Sequence, residues 1–322
     1  MAVGHQLTLV TETTTVEAPE PGTGPGARPF PASRRRAPGP LRAAARYAAV
    51  VPFSAYVVLG LVLPMIEVVR GAFQDPTSGA LTTANLSTAV HGAYLSGFEN
   101  SLLLSLISSV IPGILGFLIA YAIFTAKKAS LLRQVVITVS GVFANFGGVP
   151  LAFLFVSSLG STGLITGWLS DIGLNIYNMG FTLYTMSGVA VVYMYFQVPL
   201  MVLIILPALE GLRPSWREAA ENLGARSWQY WRYVGGPVLA PSLLGCVLLL
   251  FGSAMSAYAT AEALTSGTIA LTSIQIGSFL NGNVLAGQEN VGKALGVGMV
   301  VIIAIIMVLY TLLQRRAAKW LR

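Results

Sequence analysis

One cysteine and two histidines are all that 322 residues offer for thiol or imidazole chemistry. The single Cys246 excludes a disulfide within the chain and any metal site built on paired thiolates, and its place inside an apolar run reads as a small packing residue. His5 lies near the N-terminus and His91 in a loop, so there is no histidine cluster for zinc and no Ser-His-Asp relay inside an apolar segment. No glycine-rich segment ends in Gly-Lys-Ser or Gly-Lys-Thr, the pattern that cradles nucleotide phosphates. The chain is therefore expected to have no ATPase site of its own and no catalytic residues. Charge is scarce as well. Only 10% of residues are charged against 55% hydrophobic, and the mean hydropathy is +0.73. That is too little charge to cover a soluble globule of this size, which points to an integral membrane protein.

Apolar runs near 47–69, 101–124, 135–157, 184–206, 238–261 and 291–313 each approach the roughly 20 residues needed to cross a bilayer as a helix. They are too long and too often interrupted by Gly and Pro for strands, and none alternates as an outer-membrane barrel strand does. The expected fold is all-α with six transmembrane helices in residues 47–322. Positive residues set its orientation. Arg28, Arg34, Arg35, Arg36, Arg42 and Arg46 precede the first run; Lys127, Lys128 and Arg133 follow the second; Arg213, Arg217, Arg226 and Arg232 follow the fourth; Arg315, Arg316, Lys319 and Arg322 follow the sixth. Only Arg70 and Lys293 remain for the other side. The positive-inside rule then places both termini and the segment 213–237 in the cytoplasm. Topology and anionic lipid account for the net charge of +7, which carries no implication of nucleic-acid binding.

Residues 1–46 form a basic tail, rich in Thr, Pro, Gly and Ala over the first forty positions, and are expected to be disordered. Ser33-Arg34-Arg35-Arg36 has the look of a twin-arginine signal, but Pro38-Gly39-Pro40 follows it and the next apolar run is long for a signal segment. The reading is an uncleaved tail able to rest on anionic headgroups.

A transport path should show as polar or helix-breaking residues inside otherwise apolar spans. The third run holds Asn145-Phe146-Gly147-Gly148-Val149-Pro150, where Pro150 lacks a donor and the glycines loosen the turn. Asn145, Gly148 and Pro150 are path candidates at an expected kink; the alternative is close helix packing with one interhelical hydrogen bond. In the fourth run Tyr193 and Gln197 stand four apart on one face, as path lining or as helix contacts. The fifth carries Ser253, Ser256, Tyr258, Thr260 and Glu262, of which Ser256 and Glu262 are path candidates. Outward-facing Glu67, Asp75, Glu99, Asp171, Glu262 and Glu289 read either as an acidic vestibule for a cation or as docking contacts for a soluble protein.

Between the fourth and fifth runs lies a small charged hairpin. Ser215-Trp216-Arg217-Glu218 has the form of a capping box, and Gly224 suits the left-handed residue that ends a helix. Ala219 and Ala220 between them leave the backbone open to close approach. A second short helix is expected from Ser227 to about Tyr233, ending before Pro237. Trp216, Trp228 and Trp231 also allow an interfacial amphipathic helix.

The hairpin resembles the EAA motif of binding-protein-dependent ABC importer permeases: Glu-Ala-Ala, three residues, Gly, nine residues, Ile, any residue, Leu-Pro. Glu218, Ala219, Ala220, Gly224 and Pro237 are in register, Val234 stands for the Ile, and Gly236 replaces the Leu, which removes an apolar contact. The segment from Ser256-Ala257-Tyr258-Ala259-Thr260 through Leu264-Thr265-Ser266-Gly267 to Ile274-Gln275-Ile276-Gly277 is similar to the spermidine/putrescine-type branch, which also serves aminoethylphosphonate, thiamine, sulfate and ferric ion systems. The resemblance runs from about residue 95 to the C-terminus. It implies a type I ABC importer permease in a bacterial inner membrane, with the hairpin as coupling helix. It also implies a second, homologous permease, two ATPase subunits that bind ATP and Mg, and an extracytoplasmic binding protein docking on loops 70–98, 158–183 and 262–290. The implied cargo is a polyamine or another small charged solute. The rivals are a stand-alone transporter driven by an ion gradient and a membrane anchor that transports nothing.

Overall fold

The computed structural model describes residues 51–126, 130–282 and 288–319. The expected basic tail, the start of the first expected span, Lys127, Lys128 and Arg322 lie outside the described residues. Val57–Arg322 form one compact unit, distinct from the unit that ends at Tyr56.

The described residues are helical almost throughout, and the only extended pairing among them is an isolated bridge between Gln74 and Leu81. In chain order the helices are α1 (Val51–Ala72), α2 (Ala84–Ala89), α3 (Gly92–Thr125), α4 (Ser130–Asn145), α5 (Gly148–Leu159) and α6 (Leu164–Asp171). They continue with α7 (Met186–Glu210), α8 (Pro214–Asn222), α9 (Ser227–Ser256), α10 (Ala259–Thr265), α11 (Thr272–Leu280) and α12 (Val291–Lys319). Six stretches among the described residues are long and apolar enough to cross a membrane: Val51–Ala72, Gly92–Thr125, Gly148–Asp171, Met186–Glu210, Ser227–Ser256 and Val291–Leu312.

Two of these differ from the sequence-based expectation. The apolar run at 135–157 is interrupted after Asn145, because Gly148 takes up φ +72° and starts a new helix. The crossing stretch therefore begins at Gly148 and continues through α6. The fifth helix stops at Ser256, short of the expected 261, and the chain restarts as α10.

The centre of the bundle is α7, 56% of whose apolar window is buried inside the chain, against 6% for α12. Its closest neighbour, α3, buries a series of small residues against the rest of the bundle: Ser101, Ser105, Ser108, Gly113, Gly116 and Ala120 are all buried, with Gly116 against α7 and Gly113 against Val247 of α9. Lipid tails are as apolar as leucine, so helices in a bilayer associate through such close-fitting surfaces. Gly116 is the tightest point, where an added Cβ would lie 2.5 Å from the Met201 Cβ and 2.7 Å from the Val198 carbonyl oxygen. Below and above it, Met201, Val202 and Ile205 pack with Leu250 and Cys246, and Val189, Val192 and Tyr193 with Leu151 and Leu271. A third cluster joins Ala72, Phe98 and Phe251 to Val291 and Leu295 of α12.

Gly116→Ala is expected to destabilise the bundle by about 1–3 kcal/mol through overpacking. Gly252→Ala, where nothing lies within 4 Å, is the control. Thermal melting of the detergent-solubilised protein separates the two, and equal melting temperatures would contradict the α3–α7 packing described here.

Candidate functional site

The hairpin opens at Pro214, the first helical residue of α8, with Arg213 as N-cap and no side-chain cap bond. Ser215 is therefore inside the first turn and caps nothing, contrary to the capping-box expectation. Proline's fixed φ and missing N–H suit the first helical position, so Pro214 starts the helix two residues earlier. Arg217 donates through Nε to Glu221 at 2.9 Å, one turn on, and this bond pushes the guanidinium pKa further up. The close of the helix follows expectation. Gly224 adopts φ +78°, its N–H donates to the Glu221 carbonyl, and the Ala225 N–H donates to the Ala220 carbonyl at 2.9 Å. These two bonds are the Schellman pair that satisfies a helix's last carbonyls.

No residue of α8 is buried. Glu218 and Ala219 are exposed, Ala220 is half-buried, and Leu223 is 87% exposed. At 100° per residue, Ser215, Ala219 and Asn222 lie opposite Arg217, which faces Tyr121 of α3 and Tyr230 of α9 across a cavity. The helix thus presents Ala219 outward and keeps Ala220 toward its own chain.

The second arm is not the separate short helix that the sequence suggests. It is the beginning of α9, which runs unbroken from Ser227 to Ser256. The Arg226 N–H donates to the Gln229 side chain at 2.7 Å. A π turn over Trp231–Gly235 follows, and the Gly236 N–H donates to the Trp231 carbonyl five residues back. The wide turn absorbs Pro237, which falls in the first turn of the next α segment. An added Cβ on Gly236 would lie 2.5 Å from the Trp231 oxygen. The departure from the motif's Leu at this position thus has a local cause: the π turn leaves room only for glycine.

The interruption before α5 and the one before α10 meet. The Gly148 N–H donates to the Thr260 hydroxyl at 2.8 Å, and the Ala259 Cβ lies near the same glycine. Next to this contact, the Tyr193 hydroxyl donates to the Ala257 carbonyl at 2.8 Å, inside the gap between α9 and α10. Gln197 donates through Nε2 to the Leu250 carbonyl at 2.8 Å, and its Oε1 is buried without a partner among the described residues. Tyr193 and Gln197 have no exposed surface. They tie α7 to the C-terminal half of α9 and to the residue that follows it.

The other sequence candidates surround the junction. Asn145 is exposed and donates to the Gly141 carbonyl of its own helix at 2.9 Å. Pro150 is exposed in the first turn of α5. Ser256, the last residue of α9, is exposed and bonds the Ser253 carbonyl at 3.1 Å. Glu262 belongs to α10, not to the fifth span, and its Oε2 is enclosed with no hydrogen-bond partner among the described residues. Thr260, which sequence reasoning did not single out from its polar neighbours, is the residue that joins the two interruptions. Of the acids the sequence reading placed outside, Asp75 is occupied by its own turn: it accepts from the Ser78 amide, the Ser78 hydroxyl and the Thr77 amide, which lower its pKa.

A multi-helix membrane bundle with an exposed, capped hairpin and two helices interrupted at a shared point is the build of a permease subunit. The chain belongs to the family described as "Binding-protein-dependent transport system inner membrane component", which matches residues 101–322. It is 29% identical to the sulfate transport system permease protein CysT of Escherichia coli over 159 residues, 49% of this chain and 54% of that protein. It is 25% identical to the sulfate permease protein CysW of a Synechocystis strain, over 81% of this chain and 90% of that one. The thiamine permease protein ThiP of E. coli is 28% identical over 52% of this chain and 30% of its own length. The chain thus spans about half of CysT and under a third of ThiP. In fold it is similar to a crystallised bacterial ABC transporter involved in importing alginate, with a TM-score of 0.67, 21% identity and coverage of 86% of this chain and 96% of that one. These relatives do not support a polyamine specificity.

Thr260→Val keeps the shape and removes the acceptor for the Gly148 amide; an unsatisfied buried donor costs about 1–3 kcal/mol. Lower melting temperature together with reduced uptake at normal membrane abundance is the expected outcome, and unchanged values would disprove the junction's role. Gly236→Leu, which restores the motif residue, is expected to lower the melting temperature because the π turn has no room for a Cβ; a neutral result would show that the turn relaxes freely.

Proposed function

We propose that this ABC importer permease subunit forms half of a translocation path for a small charged solute. Its hairpin 213–237 couples it to ATPase subunits. The observation that carries this reading is α8: nine residues with none buried, bearing Glu218, Ala219 and Ala220 in the motif's register and closed by the left-handed Gly224 two residues on. A charged helix that buries no residue in its own chain and turns its Ala219 side outward is built to be covered by another protein. Membership of the family does not favour the gradient-driven alternative.

On this reading both termini and the hairpin are cytoplasmic in a bacterial inner membrane, and a second, homologous permease completes the path. Two partner ATPases bind ATP and Mg and supply the hydrolysis. An extracytoplasmic binding protein delivers the solute. ATP-driven closure of the ATPases carries α8 and, through it, α9. The junction of Gly148 with Thr260, flanked by Asn145, Pro150, Ser256 and Glu262, is where the bundle opens to solute. Sulfate and thiamine, the cargoes named for the relatives, are the first ligands to try.

Purification of this chain with its partners tests the proposal. An ATPase should copurify with the native chain, and Glu218→Lys should abolish solute-stimulated hydrolysis and uptake while leaving the protein in the membrane. Gly224→Pro should do the same by removing the helix end. Full uptake by both variants, or a chain that never captures an ATPase, would overturn it.

A further inference from the structure

A cavity of 250 Å³ lies between α8 and the ends of α3 and α9. Its chemistry is divided. Arg213 and Arg217 stand at one side, and Tyr121, Phe124, Tyr230 and Trp231 form the other. No carboxylate lines it. Arg217 uses Nε on Glu221, which leaves its two terminal nitrogens uncommitted by that bond. Arg213 lies 5.9 Å from the Trp216 ring centroid, a contact that orients the guanidinium through its face and leaves its edge donors available. Tyr121 and Trp231 meet edge to face at 5.3 Å and fix the aromatic wall.

The position in the membrane is set by the helices themselves. The apolar run of α3 closes near residue 124, that of α7 near 206, and that of α9 opens near 238, so Tyr121 and Phe124 stand at the apolar edge of the cavity and Arg213, Arg217, Tyr230 and Trp231 just beyond it, where headgroups would lie. Trp216, Trp228 and Tyr233 are exposed around it, as an interfacial aromatic belt would be. A ligand for this cavity must offer an anion to two forked guanidiniums and an apolar body to an aromatic wall, at the depth where hydrocarbon meets water. We propose that it is the headgroup and glycerol region of an anionic phospholipid, with the phosphate between Arg213 and Arg217 and the chains passing Tyr121 and Phe124. A soluble phosphate would satisfy the arginines and leave the aromatic wall unused. Basic pockets between helices at the cytoplasmic face are suited to such headgroups.

The consequence concerns coupling, and that part rests on α8 being the ATPase-contacting helix. A lipid phosphate in the cavity bridges α8 to the bundle through Arg217, on the side opposite Ala219. Anionic lipid would then brace the hairpin while its outer side holds the ATPase.

Lipid retention tests the site independently of ATPase coupling. The intact transporter is taken from nanodiscs of mixed phosphatidylglycerol and phosphatidylcholine, and native mass spectrometry counts the lipid that stays bound. The native complex should retain phosphatidylglycerol preferentially. Arg213→Gln and Arg217→Gln should each lower that retention about fivefold, the effect expected of one basic residue at an anionic surface. Arg315→Gln, the same charge change outside the cavity, should not. Where the Gln variants fail to assemble, Arg213→Lys and Arg217→Lys take their place and should still prefer phosphatidylglycerol, at reduced retention. Equal retention in all variants overturns the proposal. Displacement of the lipid by millimolar inorganic phosphate assigns the cavity to a soluble anion, and unchanged lipid with loss of the ATPase assigns the arginines to a protein contact; either result also overturns it.

Discussion

The hydrogen bond from the Gly148 amide to the Thr260 hydroxyl is the contact on which the arrangement of the bundle turns. A bilayer offers no water to an unpaired amide, so a helix can be interrupted at membrane depth only where the protein supplies the missing partner. Here each interruption solves the problem of the other. The apolar run at 135–157 breaks between α4 and α5 beside the point where the fifth helix has ended, and Thr260 accepts the donor that the break releases. Tyr193 then secures the exposed carbonyl of Ala257 on the other side of the gap. Without this reciprocity, Gly147, Gly148 and Pro150 would have to be accommodated inside a single strained helix.

Much of the fold was legible because bilayer thickness imposes a length on every apolar run. Six runs led to six crossing stretches, and the interruption at Gly147-Gly148 was marked by residues whose conformational freedom has few other uses in a helix. What escaped the sequence was relational. Nothing in the string Ala257-Tyr258-Ala259-Thr260 says that the helix has ended, because alanine, tyrosine and threonine all occur in helices; the tie from Tyr193, far away in the chain, holds the gap open. For the same reason the sequence left Tyr193 and Gln197 open between path lining and helix contacts, since shared polarity on one face does not reveal which neighbour covers it.

The hairpin shows the opposite balance. Local backbone rules sufficed for its end, where Gly224 had to be left-handed, and nearly for its start, where Pro214 pre-empted Ser215. They failed at Gly236, whose role depends on a π turn that no residue announces. A glycine in place of the motif's leucine looked like a lost contact, and the structure makes it the condition for running the hairpin directly into the fifth span.

That continuity has a mechanical meaning. At 1.5 Å per residue, the 30 residues of α9 make a rod of about 45 Å. One end carries the cytoplasmic-type hairpin and the other abuts the two-residue gap beside Thr260. The points along it where the regular bonding is broken, the π turn at Trp231–Gly235 and Pro241, both lie in its first half, near the hairpin. On the coupling reading proposed above, a displacement delivered at Ser227 would pass these two irregular points first and then travel along the regular helix from Pro241 to Ser256, which ends beside the hydroxyl shared by the two interrupted helices.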